Sequence, residues 1–325
     1  MKGALTLCLL LLCATLAALM LGPVQLSPAL LWQGLSTGEG PGALVLGTIR
    51  GPRVVTALGA GAVLGLSGAL FQALFRNPLA APDIMGFTAG AGLTIIAAIA
   101  LGLTLPPPLL AAGGGLAAAL LVALLSQRRG HATPPLTMIL VGLGIGFIAS
   151  ALSSFLLTLL PHPQAAEAQR WLTGSLAARA WTHVAQVWLI GALLAALALA
   201  QLRRLAALEL GEDLATGLGL RVGRARIALA GTAVLLAAAG VAVVGPVPFI
   251  ALMSGPLGAR ITGARRLRGQ MLSAAGTGAL VLVVADLAAR AALPGIQLPA
   301  GVMTGLLGAP YLLWRLSREM EKGEL

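Results

Sequence analysis

Ionisable side chains are scarce in this chain, so each place where they gather can be asked what chemistry it supports. Asp286 and Arg290 lie four residues apart in the apolar run LVLVVADLAARAAL, the spacing that puts two side chains on one helix face. A charge in such a run is costly unless paired or hydrated, so an intramembrane ion pair is the first reading and proton or cation coupling the alternative. Glu209, Glu212 and Asp213 form an acidic patch in ELGEDLATGLGL (209–220), beside Leu210, Gly211, Leu214 and Leu218. The leucine spacing makes a short amphipathic face suited to a partner, with a solvated loop helix as the plainer alternative. His131, His162 and His183 stand apart, without metal-ligand spacing, and the carboxylates form no catalytic pair. Cys8 and Cys13 share the first apolar run, which gives no disulfide framework. No catalytic, cofactor or metal residues are expected, and the chain reads as a non-enzyme.

A second polar cluster interrupts the apolar sequence at QALFRNPLAAPDIMGF (72–87), where Gln72, Arg76, Asn77, Pro78 and Pro82 stand together. Proline cannot continue a helix and asparagine braces nearby backbone, so a structural turn on one side of a membrane is expected. Arg50 and Arg53 flank a proline in RGPR (50–53). They read as interfacial side chains or as receivers of acidic groups from a partner.

The elements that must position these groups are membrane helices. The 325 residues are 58% hydrophobic and 10% charged, with a mean hydropathy of +0.96. Charge-free stretches of about twenty residues recur, the length that crosses a hydrocarbon layer as an α-helix. Runs such as 139–160 do not alternate as barrel strands would. The fold class is therefore all-α, a polytopic membrane protein in one domain spanning 1–325. Helices are predicted at 4–22, 53–74, 84–103, 108–126, 136–159, 182–201, 225–245, a short or broken one near 248–257, 270–292 and 303–317, about ten in all. The first apolar run reads as a retained helix, with a signal peptide as the alternative. Gly61/Gly65 and Gly142/Gly146 have the spacing of close helix packing.

The formal net charge of +11 serves orientation better than nucleic-acid binding, because the arginines lie beside apolar segments. With the amino terminus inside, only Arg50, Arg53, Arg170, Arg179 and Arg290 fall outside. Arg76, Arg128, Arg129, Arg203, Arg204 and the remaining Lys and Arg residues fall inside. Both termini are then cytoplasmic. No P-loop is present, so an ATP-driven process would need a separate ATPase.

These motifs, in this order, resemble the permease family of ATP-binding-cassette importers for ferric siderophores, heme and vitamin B12. Arg50-Gly51-Pro52-Arg53 resembles the family R-x-P-R. Gln72 through Pro82 resembles Q-x-x-x-x-N-P-L-A-x-P, and 210–219 resembles the cytoplasmic L-G-E/D-x-x-A region. GPVPFIAL (245–252) is similar to the ferric-siderophore branch. The chain departs from the family's P-H-I-A-R wording at Gly255-Pro256, so no role of that histidine carries over.

The resemblance implies a permease subunit in the cell inner membrane. It would pair with a second permease, identical or related, and with two ATP-hydrolysing subunits docked on the 203–224 loop through Glu209, Leu210, Gly211, Glu212, Asp213 and Leu214. A periplasmic or lipid-anchored substrate-binding protein would dock at Arg50, Arg53 and Arg290 and deliver a ferric siderophore. Gln72, Arg76, Asn77, Pro78 and Pro82 would brace the inner gate. Vitamin B12 or heme as cargo, and gradient-driven secondary transport, are the alternatives.

Overall fold

A computed structural model describes residues 2–22, 25–126, 135–291 and 297–322. Arg128, Arg129 and His131 lie outside the described residues. Every regular element among the described residues is helical. In chain order these are α1 (Lys2–Met20), α2 (Pro28–Thr37), α3 (Gly40–Leu44) followed by a π turn at Val45–Ile49, α4 (Gly51–Phe75), α5 (Phe87–Ala100) and α6 (Pro107–Leu125). They continue with α7 (Pro135–Leu159), α8 (His162–Leu172), α9 (Trp181–Ala200), α10 (Leu202–Glu209) and α11 (Glu212–Gly217). The last four are α12 (Val222–Val244), α13 (Ile250–Thr262), α14 (Leu267–Ala291) and α15 (Ala300–Lys322). Each of the ten predicted helices has its counterpart. The short helices α2, α3, α8, α10 and α11 are additional.

Seven segments are long and apolar enough to cross a membrane: α1, Gly40–Phe75, α6, most of α7, α9, α12 and α14. Two further helices are too short. At 1.5 Å per residue, α5 with 14 residues and α13 with 13 reach only about 20 Å of a layer about 30 Å thick. Irregular backbone leads into each, at 76–86 and 245–249. Such backbone is tolerated at membrane depth only when buried in protein or lining a cavity. The predicted break near 248–257 sits one step earlier, because α13 continues through Pro256 to Thr262.

The core forms where α4 packs against α12, α13 and α14. Apolar side chains gain little here by leaving lipid for protein, so close van der Waals packing must hold the helices together. Gly61 and Gly278 supply it: a Cβ added at Gly61 would stand 2.4 Å from the Gly278 carbonyl oxygen. The other predicted pair, Gly142 and Gly146 of α7, seats the Met85–Gly86 turn, where a Cβ at Gly86 would meet Gly142 O at 2.5 Å.

The helices run between two distinct ends. At one, Gly3 of α1 lies against Thr262, Arg260 stacks on Trp314 at 5.6 Å, and Arg76, Glu209, Ala259 and Arg315 surround one cavity. At the other, the carbonyls that close α1 meet Arg50 and Arg290. These are called the Arg76 end and the Arg53 end.

Candidate coupling and docking sites

At the Arg76 end the polar cluster of 72–87 begins as a helix cap. Arg76 takes a left-handed conformation (φ 48°) and its amide bonds back to Ala73 O, ending α4. Asn77 Oδ1 then accepts the Leu79 amide at 2.8 Å, and Ala80 N donates to Asn77 O. Asparagine thus supplies locally the bonds that the missing helix would have made. Pro82 lies buried in the return toward α5.

Gln72 does more than bracing of its own loop. Pro256 has no N–H, so within α13 the Leu252 carbonyl four residues earlier has no helical donor. Gln72 Nε2 donates to that carbonyl at 2.9 Å and to Pro78 O at 3.1 Å, joining the loop after α4 to the middle of α13. Gly255 leaves the room this needs, since an added Cβ there would come 2.3 Å from Gln72 Oε1. The Gly255-Pro256 departure is therefore matched by Gln72 across the helix pair. Gln72→Leu should cost about 1–3 kcal/mol by stranding buried carbonyls. Pro256→Ala restores the Leu252 donor and should recover part of that loss, as read from thermal unfolding in detergent.

The 203–224 loop holds α10 and α11. α10 is anchored by buried Leu205 and Leu208, and Arg76 donates through Nη2 to the Leu208 carbonyl. The polar cluster and the loop are thereby one unit. Gly211, at φ 115°, turns the chain between the two short helices. Leu210 just before it and Leu214 and Leu218 beyond it are 59%, 61% and 69% exposed, an apolar row that the described residues leave uncovered. Glu209 and Asp213 are exposed beside it, while Glu212 pairs with Arg226 at 2.7 Å in a solvent-exposed bridge of small energetic value.

At the Arg53 end the arginines expected as interfacial docking residues are largely buried. Arg50, Arg53 and Arg290 retain only 5%, 9% and 8% exposure. Arg53 approaches Asp286 in fork geometry, with Nε 3.0 Å from both carboxylate oxygens and Nη2 2.8 Å from Oδ1. Arg290 Nε lies 3.2 Å from Oδ2. The expected Asp286–Arg290 pair is thus a triad, whose third member comes from 233 positions away. Arg50 Nη1 donates to Leu19 O and Met20 O, and Arg290 to Ala18 O and Leu21 O. The last carbonyls of a helix lack intrahelical partners and carry partial negative charge, which draws both guanidiniums inward.

Arg179 joins this end unannounced by any motif, although its basic character at an external turn was visible. It is partly buried near Arg53, and burial with that neighbour lowers its pKa. Four arginines therefore gather at this end, two of them in contact with Asp286. The histidines are structural where described: His183 Nδ1 accepts the Ala180 amide at the start of α9, and His162 opens α8.

Half-length helices entered through irregular backbone, close glycine packing and an exposed helical projection at one end define a polytopic helical membrane protein. Residues 9–318 match the FecCD transport family, and the chain belongs to that family. It is 38% identical over 323 residues to the ferric enterobactin transport system permease protein FepG of Escherichia coli (strain K12), covering 97% of this chain and 96% of FepG. It is 33% identical over 305 residues to the Fe(3+)-citrate import system permease protein YfmE of Bacillus subtilis (strain 168), covering 93% and 90%. A solved inward-facing transporter of the metal-chelate ABC type superposes with a TM-score of 0.81 at 27% identity, covering 97% of this chain and 98% of that one. The chain is a multi-span permease subunit of an ATP-binding-cassette importer, a class that works with an ATPase and a second permease subunit.

Proposed function

We propose that this permease carries a ferric siderophore across the cell inner membrane by alternating access. The observation that carries the coupling part is the exposed row Leu210, Leu214 and Leu218, tied through Leu208 and Arg76 to the loop after α4. An ATPase subunit covering that row would move α10, and with it the Gln72 brace on α13. Charge bias makes the Arg76 end cytoplasmic, with both termini there. Two permeases, identical or related, pair with two ATP-hydrolysing subunits.

A periplasmic or lipid-anchored substrate-binding protein docks at the Arg53 end. The buried arginines act chiefly through their field, which orients an acidic partner and speeds encounter. Similarity to iron-chelate permeases and the GPVPFIAL wording support a ferric siderophore over vitamin B12 or heme. Gradient-driven transport rested on Asp286, and that carboxylate is engaged by two guanidiniums.

The test is uptake by vesicles holding the permease, its ATPase and its delivery protein. ATP-dependent accumulation of an iron-55 siderophore is expected, without accumulation of heme or vitamin B12. Uptake driven by a proton gradient without ATP would overturn the reading.

A further inference from the structure

One carboxylate in the irregular backbone makes none of the contacts described at the two ends. Asp83 lies between α4 and α5, in the stretch that stands in for the missing half of a span. Its Oδ2 accepts the Phe249 amide at 2.9 Å and so caps the start of α13. Its Oδ1 is buried and makes no hydrogen bond of good geometry among the described residues, although the amides of Asp83 itself and Ile84 lie near the carboxylate. An acceptor desolvated in this way is costly, and intramembrane carboxylates persist where something uses them.

Asp83 borders a cavity of about 280 Å³ that also touches Thr88, Thr173, Pro246 and Val302. The first turns of α5 and α15 line it, through Thr88 and Val302, and α13 starts at its edge. The start of α13 gives the carboxylate one donor, at Oδ2, and Oδ1 keeps an open acceptor position toward the cavity. The walls are built tightly. Gly301 N donates to Gly174 O, Ser175 N to Val244 O, and a Cβ at Gly174 would stand 2.3 Å from Pro246 O. Exposed Val302 borders the cavity, so a ligand can reach it from outside the chain. Its volume takes one arm of a ligand and not a bulky chelate entire.

We propose that Asp83 and this cavity form a cargo subsite in which Oδ1 accepts a hydrogen bond from an O–H or N–H group of a donor-bearing ferric chelate. A polycarboxylate chelate is disfavoured there, because its carboxylate oxygens are acceptors and offer Oδ1 no hydrogen. The inference rests on the iron-chelate reading above. It makes the permease a contributor to specificity alongside the delivery protein.

The experiment is iron-55 uptake by vesicles containing the complete transporter, supplied with a ferric trihydroxamate bearing amide N–H groups or with ferric citrate. Asp83→Asn keeps an oxygen for the Phe249 amide and replaces the open acceptor Oδ1 by an NH2 donor. Val302→Trp fills the cavity and leaves Asp83 untouched. Each should lower trihydroxamate uptake about tenfold, the scale of one lost hydrogen bond, while ferric citrate uptake holds or rises. Thermal unfolding midpoints should stay at the wild-type value. Unchanged trihydroxamate uptake in both variants overturns the subsite. So does an equal fall for both chelates, or a lost midpoint, since either assigns Asp83 to capping α13 alone. If wild type accumulates neither chelate with ATP, the cargo reading falls and the ligand assigned here falls with it.

Discussion

Asp286→Ala is expected to destabilise the purified permease by about 3–5 kcal/mol, the cost of leaving buried charge uncompensated. Asp286 is 1% exposed and holds Arg53 and Arg290, with Arg50 and Arg179 beyond them. Without it, guanidiniums repel one another at an end where solvent reaches them poorly. Arg290 would also lose the contact that aims it at the α1 carbonyls, so α1 should loosen at its Leu21 end. Asp286→Asn keeps the shape and some hydrogen bonding, and should fall between the variant and wild type. The informative comparison is Arg53→Met with Asp286→Leu, which removes a pair together. A buried ion pair replaced by apolar groups is often near neutral, so this double variant should lose less than Asp286→Ala. Thermal unfolding in detergent micelles reads all three. A loss below about 1 kcal/mol for Asp286→Ala would mean that the triad is hydrated and works as a surface pair does.

The spans were legible because bilayer thickness imposes a length on apolar runs, and that length is a local property. α2, α3, α8, α10 and α11 were not, since short helices at a surface carry no such constraint. Only the leucine spacing of 209–220 pointed toward α11. Pairings between distant residues were hidden for a different reason. Nothing near Pro256 says that Leu252 O needs a donor from Gln72, and RGPR does not disclose that Arg53 faces Asp286. Arg50, Arg53 and Arg290 were expected as interfacial docking residues, and their burial was hidden in the same way. It depends on the α1 carbonyls and on Asp286, which come from elsewhere in the chain. Asp83 stood in the quoted polar cluster without distinction, because its open oxygen exists only once 245–249 and α15 close around it.

Leu210→Asp combined with Leu214→Asp should abolish ATP-dependent uptake while membrane insertion and folding stay intact. Both side chains are largely exposed, so the folded chain loses almost no packing when they change. The anchor of the projection is on its other face, in Leu205 and Leu208. A partner that buries the leucine row would instead meet two unpaired charges in its contact. Residues at the centre of an interface commonly cost at least about 2 kcal/mol when lost, and two together should reduce association more than a hundredfold. Copurification of the ATPase measures this directly, and Leu205→Asp provides the contrast, since it should damage the fold itself. Arg76→Ala separates docking from transmission. It leaves the leucine row in place and removes the bond to Leu208 O, so the ATPase should still copurify while its hydrolysis no longer drives uptake. Normal ATPase association and coupled uptake in the double leucine variant would place the contact elsewhere. Normal coupling in Arg76→Ala would show that force reaches α13 by a route other than the loop after α4.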